Sequence, residues 1–351
     1  FVDALKKCVD HISNVEVSLL EIGQSVNGAT IYGIKLGAGS HKVLAWSNMH
    51  GNETTTTRAL LAFLNMGDLS AHLKNITLYI IPVLNPDGLD AWTRFNANNI
   101  DLNRDAIGLT QPESRVLRKV FEDFKPHYCF NLHDQRTIYG DTNGEQAVQL
   151  SFLAPAASED RAVTAARLKA MAVISRIQTV IEPHCTGIIG RYSDAFNINC
   201  VGDYFQSLQV PTVLFEAGHA GEDYYREEAV QLIVASFIEA LSCVSTESSL
   251  DDERTLQEYL SIPAIAQNFA DILIKDMAYG NLKMDIAIQY HETLLDDTLY
   301  FVPILVGINS DEIKNAHYVI QMDDNTNQPA DFSISGDLVV TCPSLGVLTF
   351  H

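Results

Sequence analysis

His50-Gly51-Asn52-Glu53 sets an imidazole and a carboxylate three residues apart, with His133 and Glu216 far downstream to complete a chemistry with them. Both groups ligate divalent metals, and a pair at the mouth of an apolar run can be turned toward one point. The spacing alone says little. With 11 His and 18 Glu in the chain, about 0.6 such pairs arise by chance, and His219-Ala220-Gly221-Glu222 repeats the pattern. Context decides. Val43-Leu44-Ala45-Trp46 reads as a buried strand and residues 55–64 as the start of an amphipathic helix. The pair therefore stands on a strand-to-helix corner, where a rigid element on each side fixes its direction.

The elements that position such a corner must come from a large fold. The chain has 351 residues, 47% hydrophobic and 19% charged, which suits one large domain or two of ordinary size. Its net charge of −21 is spread along the sequence. A polyanion gains nothing from counterion release, so nucleic acid is not expected as a partner, and the charge is read as a solubility device. No apolar stretch in the sequence reads as a membrane span. The N-terminal residues lack the basic start and long apolar run of a signal peptide, although the chain starts at Phe1 rather than Met, which leaves an upstream segment open. Six cysteines (8, 129, 185, 200, 243 and 342) form no C-x-x-C pair. Cys129 and Cys243 lie in apolar runs and read as buried thiols rather than ligands. A reduced, cytoplasmic setting is the expectation, with the oligomeric state open.

To about residue 245, strand-like runs (15–22, 31–35, 43–47, 76–83, 128–132, 210–215) alternate with helix-like runs (54–65, 112–124, 159–180, 222–242). This predicts an α/β fold with a mixed central sheet flanked by helices. Chemistry-bearing residues recur where strands end: 48–50, His133 and Glu216. In open α/β sheets, sites gather at the carboxyl ends of strands. Residues 246–262 read as a polar linker with a short helix. From 263 to 351, short strands near 284–290, 299–306, 317–322, 337–341 and 346–350 suggest a smaller β-rich domain with no catalytic constellation.

Asn85-Pro86-Asp87-Gly88 closes a strand and marks a turn. It leads into a polar segment, residues 92–105, that carries two arginines and several amides without apolar periodicity. Phe130-Asn131-Leu132-His133-Asp134 and Thr212-Val213-Leu214-Phe215-Glu216-Ala217-Gly218 follow. H-x-x-E, N-P-D-G, R-x(8)-N-R inside a D-L-N-R-D run, a strand-end His and a strand-end Glu stand in that order. In this the chain resembles the M14 family of zinc carboxypeptidases across roughly residues 15 to 245, and five ordered motifs are far more specific than any one.

The resemblance implies that His50, Glu53 and His133 bind one Zn²⁺. Two imidazoles and a carboxylate leave a fourth position open for water, the ligand set carboxypeptidase A uses. It implies Glu216 as general base. The bland alternatives are a solvent-facing carboxylate at 216, disfavoured after so apolar a run, and a satisfied core histidine at 133. Arg94 matches the residue that polarises the substrate carbonyl. Asn103 and Arg104 match the pair that grips a terminal carboxylate, where a planar, permanently charged fork is apt. Either arginine could instead form a surface ion pair with Asp101 or Asp105. For the family's mobile-loop tyrosine the candidates are Tyr192 and Tyr204, with Tyr192 preferred because residues 193–202 could close over substrate. Asn52 replaces the Arg many relatives carry in H-x-R-E. His219 and Glu222 are read as supporting residues or a helix N-terminus.

Three functions follow: hydrolysis of the C-terminal peptide bond of a peptide, zinc-dependent deacylation of an N-acyl amino acid, or a metal-bearing peptide-binding module without turnover. The substrate in the first two carries a free carboxylate. The retained ligands and base speak against the third.

Overall fold

The computed structural model describes residues 1–246, 251–279, 282–322, 339–342 and 346–349. In chain order, the elements to residue 217 are α1 (Val2–His11), β1 (Val17–Gln24), β2 (Thr30–Leu36), β3 (His41–Ser47), α2 (Thr55–Leu64), β4 (Ile76–Ile81), α3 (Pro86–Asp90), α4 (Pro112–Phe124), β5 (Tyr128–Asp134), β6 (Tyr139–Asp141), β7 (Val148–Leu153), α5 (Ala165–Ile181), β8 (Ile188–Arg191), α6 (Val201–Ser207) and β9 (Thr212–Ala217). They are followed by α7 (Glu227–Thr246), α8 (Asp252–Ser261), β10 (Ile265–Gln267), β11 (Phe269–Tyr279), β12 (Leu282–Leu295), β13 (Thr298–Ile308), β14 (Asn315–Gln321), β15 (Val339–Cys342) and β16 (Gly346–Thr349).

An eight-stranded mixed sheet runs in the order β1-β2-β4-β3-β5-β9-β7-β8. Its centre, β4, β3, β5 and β9, is parallel, and β1, β2 and β7 join it antiparallel. The chain goes from β3 outward to β4 and then crosses to β5 on the other side of β3. The carboxyl ends of β3 and β5 therefore flank the point where strand order reverses, the place where α/β sheets hold their sites. The central strands bury both faces by alternation. Val43, Ala45, Phe130, Leu132, Val213 and Phe215 join one core with Phe63 of α2, Ile174 and Ile177 of α5 and Phe237 of α7. Leu44, Trp46 and Cys129 join the other with Phe121 of α4 and Phe205 of α6. Each fully buried Val, Leu, Ile or Phe among them contributes ~1.5–3 kcal/mol. The alternation puts His133 and Glu216 on the α4/α6 face.

Two of the expected helices start later than the pattern suggests. α5 begins at Ala165, not 159, because the Thr164 hydroxyl caps it by accepting the Arg167 amide. α7 begins at Glu227, not 222, because the Asp223 carboxylate accepts the amides of Glu227, Glu228 and Ala229. Glu222 thus lies ahead of the helix rather than at its N-terminus. α7 is also the one helix among the described residues long and apolar enough to cross a membrane, with a mean hydropathy of 1.7, where the sequence suggested no such stretch. Half of that window is buried in the fold, including Leu232, Ile233, Phe237 and Leu241, as expected of a core helix.

The chain divides into two units by spatial proximity: Phe1–Gln135, Gln149–His219 and Asp223–Ala264 form one, and Arg136–Val148, Ala220–Glu222 and the chain from Ile265 onward form the other. The first holds the eight-stranded sheet. In the second, β13-β12-β11-β14 form a four-stranded sheet and β10 pairs with β6, around Ile272, Ile274, Met277, Ile286 and Ile288. The expected strand at 337–341 lies partly outside the described residues, as does the end of 346–350; β15 and β16 cover the rest.

Candidate active site

The corner after β3 is built by amides. Asn48 takes a left-handed backbone (φ 51°), a conformation Asn tolerates better than most residues. Its Nδ2 donates to the carbonyls of His50, Gly51 and Glu53 at 3.3, 3.0 and 3.1 Å. Asn85 Nδ2 donates to the Met49 carbonyl at 3.2 Å, so the N-P-D-G segment braces the corner from the side; it folds as the short helix α3, capped by Asn85, not merely a turn. A Cβ at Gly51 would stand 1.9 Å from the Gly88 carbonyl carbon. Only glycine lets these two backbones meet.

The structure brings His50, Glu53 and His133 together, with one ligand atom from each within 4.8 Å of the others. All three are nearly excluded from solvent, at 2%, 6% and 2% exposure. Glu53 Oε1 lies 2.8 Å from His50 Nδ1 and its Oε2 2.8 Å from His133 Nδ1, while the two Nδ1 atoms are 3.2 Å apart. Two nitrogens on one tetrahedral zinc at ~2.0–2.1 Å stand about 3.3 Å apart. The donor set and its spacing therefore fit a zinc ion. Asp101 Oδ1 meets His50 Nε2 at 3.0 Å. With that N–H given to a carboxylate, the Nδ1 lone pair is left facing the centre, the arrangement that orients metal-ligating histidines.

Charge in the cluster is tightly shared. Burial pushes Glu53 up, but His50 and then His133 outweigh it and hold Glu53 well below the carboxylate range. Burial pulls His50 down, yet Glu53 and Asp101 raise it on balance. At His133 burial wins and the ring is lowered. Asp101 is lowered despite burial because it bonds His50 and pairs with Arg94. Asp134, which follows His133, is pushed up to about 6 by burial.

Glu216 stands opposite His133 in the parallel β5–β9 register and opposite Ser151 of β7, which sets it on the same face as His133. Burial first, then the carboxylates of Glu53 and Asp134, push it well above the ordinary range.

The loop after α3 brings Arg94 and Asp101 to the cluster. Arg94 forks onto Asp101 Oδ2 through Nε at 3.1 Å and Nη2 at 3.0 Å, and its Nη1 lies 3.6 Å from Glu53 Oε1. The ion pair with Asp101 weighed from sequence is thus present, and it lies against the ligand set. Asp101 Oδ1 also accepts the Asn103 amide at 2.8 Å, capping the short turn Leu102–Arg104. Asn103 Oδ1 accepts the Val201 amide at the start of α6 at 2.9 Å. The exposed Arg104 donates through Nη1 to the Asn103 carbonyl at 2.7 Å and to Cys200 Sγ at 3.1 Å.

Tyr192 follows β8, its amide donating to the Phe152 carbonyl at 2.9 Å. Tyr204 is committed elsewhere: its ring lies under the Arg118 guanidinium, 4.0 Å from the centroid. His219 is buried with its ring 4.5 Å from that of Tyr224. Asp101 and Asp134 escaped the sequence reading as site residues, and the bracing parts of Asn48 and Asn85, read there as a strand end and the head of a turn motif, come only with the fold. The D-L-N-R-D run held a usable signal for Asp101, since its acid lies two residues before the Asn-Arg couple.

The zinc carboxypeptidase family profile matches residues 3–178. Carboxypeptidase 2 of Trichophyton tonsurans is 35% identical over 104 residues, which covers 27% of this chain and 19% of that protein. Carboxypeptidase E of Caenorhabditis elegans is 33% identical over 116 residues, 25% of each. The chain thus spans a quarter or less of the length of these relatives. Among solved structures, a metallo-carboxypeptidase from Burkholderia cenocepacia superposes with a TM-score of 0.56 at 18% identity, over 70% of this chain and 69% of that one. Carboxypeptidase A from Helicoverpa armigera gives 0.54 at 17%, over 70% and 73%. At these identities the likeness is one of fold.

Proposed function

This chain belongs to the zinc carboxypeptidase family, and from that premise we propose that it hydrolyses the C-terminal peptide bond of a peptide. The observation that carries the reading is a convergence at one end of the sheet. Two imidazoles and a carboxylate share a point, and Glu216 stands in register beside them. Arg94 lies against the same cluster.

His50, Glu53 and His133 would hold one zinc ion, which would supply Lewis acidity toward the scissile carbonyl and toward water. Glu216 Oε would take the proton of the attacking water and deliver it to the departing amine nitrogen. Arg94 would face the negative charge that grows on the carbonyl oxygen, a role worth ~3–4 kcal/mol when one such donor is lost. Asn103 and Arg104 would grip the terminal carboxylate, and Tyr192 would close on the substrate. Residues 1–245 would carry the chemistry, 246–262 the connection and 263–351 an accessory role.

A peptide, its C-terminal amide and an N-acyl amino acid assayed in parallel test this. The free-acid peptide is expected to turn over, with the amide ~10²-fold worse in kcat/KM for want of the charged pairing. Equal turnover of acid and amide overturns carboxylate recognition. Activity confined to the N-acyl amino acid moves the substrate to the deacylase class.

A further inference from the structure

One residue ahead of α7, Arg226 turns its side chain inward to 8% exposure, opposite an Asp134 carboxylate with no exposure at all. Its Nη1 lies 3.7 Å from Asp134 Oδ2 and 3.5 Å from Thr55 Oγ1. The same Oδ2 accepts the Thr55 amide at 2.9 Å, and the Asp134 amide donates to Glu53 Oε2 at 3.2 Å. A buried charge pair therefore joins the residue after His133 to the residue two after Glu53. No step of the proposed hydrolysis uses it, and desolvating two charges is unfavourable unless something else requires them.

The backbone points the same way. Arg226 has φ 56°, a left-handed conformation costly for a long side chain. A turn needing only that conformation would be met by Gly or Asn. Arginine is held there instead from several sides. Its amide donates to the Asp223 carbonyl at 2.7 Å, Arg58 Nη1 donates to the Tyr225 carbonyl at 2.6 Å, and Arg58 pairs with Glu227. The fold thus fixes a guanidinium whose reach ends behind the ligand cluster.

We infer that Asp134 and Arg226 are positioning residues for the metal-holding cluster, a strut that keeps the Glu53 corner and the end of β5 at ligand spacing. The inference rests on the zinc reading above. Replacing groups that orient metal ligands typically weakens metal affinity 10–100-fold. That range is expected in the zinc Kd of Arg226→Met and of Asp134→Asn, measured on the full chain by competition with a chromophoric chelator. Arg226→Lys, which keeps the charge but not the fork, should fall between these and wild type. It remains informative should either neutral variant fold poorly, as does the double variant Asp134→Asn/Arg226→Met, which removes both charges of the pair. The visible absorption of the cobalt-substituted protein, which reports ligand geometry, should change in the same variants. Zinc Kd values within twofold of wild type, with unaltered cobalt bands, in the folded variants overturn the strut. A different result sinks the zinc reading itself: wild type taking up less than one equivalent, or His133→Ala binding as tightly as wild type.

Discussion

The ligand cluster and the arginine loop lie side by side yet are held in opposite ways. His50, Glu53 and His133 are nearly solvent-free, stand on strand ends or on a corner clamped by Asn48, and leave little room for adjustment. Arg94 is 41% exposed, and the exposed Arg104 is tied to a carbonyl and a thiol. On the proposed function the contrast has a reason: an ion would need ligands already in place, whereas the free end of a peptide would need a grip able to move onto it. Pre-organisation is spent where geometry must be fixed before binding, and exposed charge is kept where ligand arrives. Asp101 is the hinge between the regimes, bonded to His50 on one oxygen and to Arg94 on the other.

The sharpest break between the two regions comes from separating chemistry from metal retention. Glu216→Gln is expected to lower kcat by ~10²–10⁴ while zinc stoichiometry stays at the wild-type value. An unchanged kcat by steady-state assay would remove Glu216 from the base role. Asp101→Asn strikes both regions at once. It should weaken zinc by ~10–100-fold and also lower kcat, because Arg94 loses its ion-pair partner. A change in kcat with unaltered zinc affinity would mean that Asp101 serves the loop alone. The smallest effect concerns the floor of the loop, α6, where Asp203 is buried, accepts the Asn197 amide and is pushed by burial up to about 6. A carboxyl whose folded value exceeds its unfolded value near 3.9 stabilises the fold fully below about pH 4 and loses that contribution as pH rises through 6. Asp203→Asn should therefore be more stable than wild type by on the order of 2 kcal/mol at pH 8 and no more stable at pH 4. Urea melts at the two pH values check it, and a pH-independent difference contradicts it.

The cluster was legible in the sequence because its members carry chemistry and end apolar runs: His50 after Val43–Trp46, His133 after Phe130–Leu132, Glu216 after Val213–Phe215. The central strands announced themselves for the same reason, being buried on both faces. What remained hidden depended on partners distant in the chain. Arg226 looks like a solvated residue before an acidic helix, and only the fold puts it against Asp134. β7 and β8 escaped because their strand character comes from neighbours in the sheet rather than from flanking turn signals. Helix starts at 165 and 227 shifted because single polar side chains, Thr164 and Asp223, set them where apolar periodicity could not.

The meeting of Gly51 with Gly88 leaves no slack between the ligand corner and α3. The two turns are locked as one piece of backbone, so neither can be redesigned alone. Attempts to redesign the His50–Glu53 corner will shift the base of the Arg94–Arg104 loop as well, whereas changes made from the α6 side meet that loop through Asn103 and leave the corner alone.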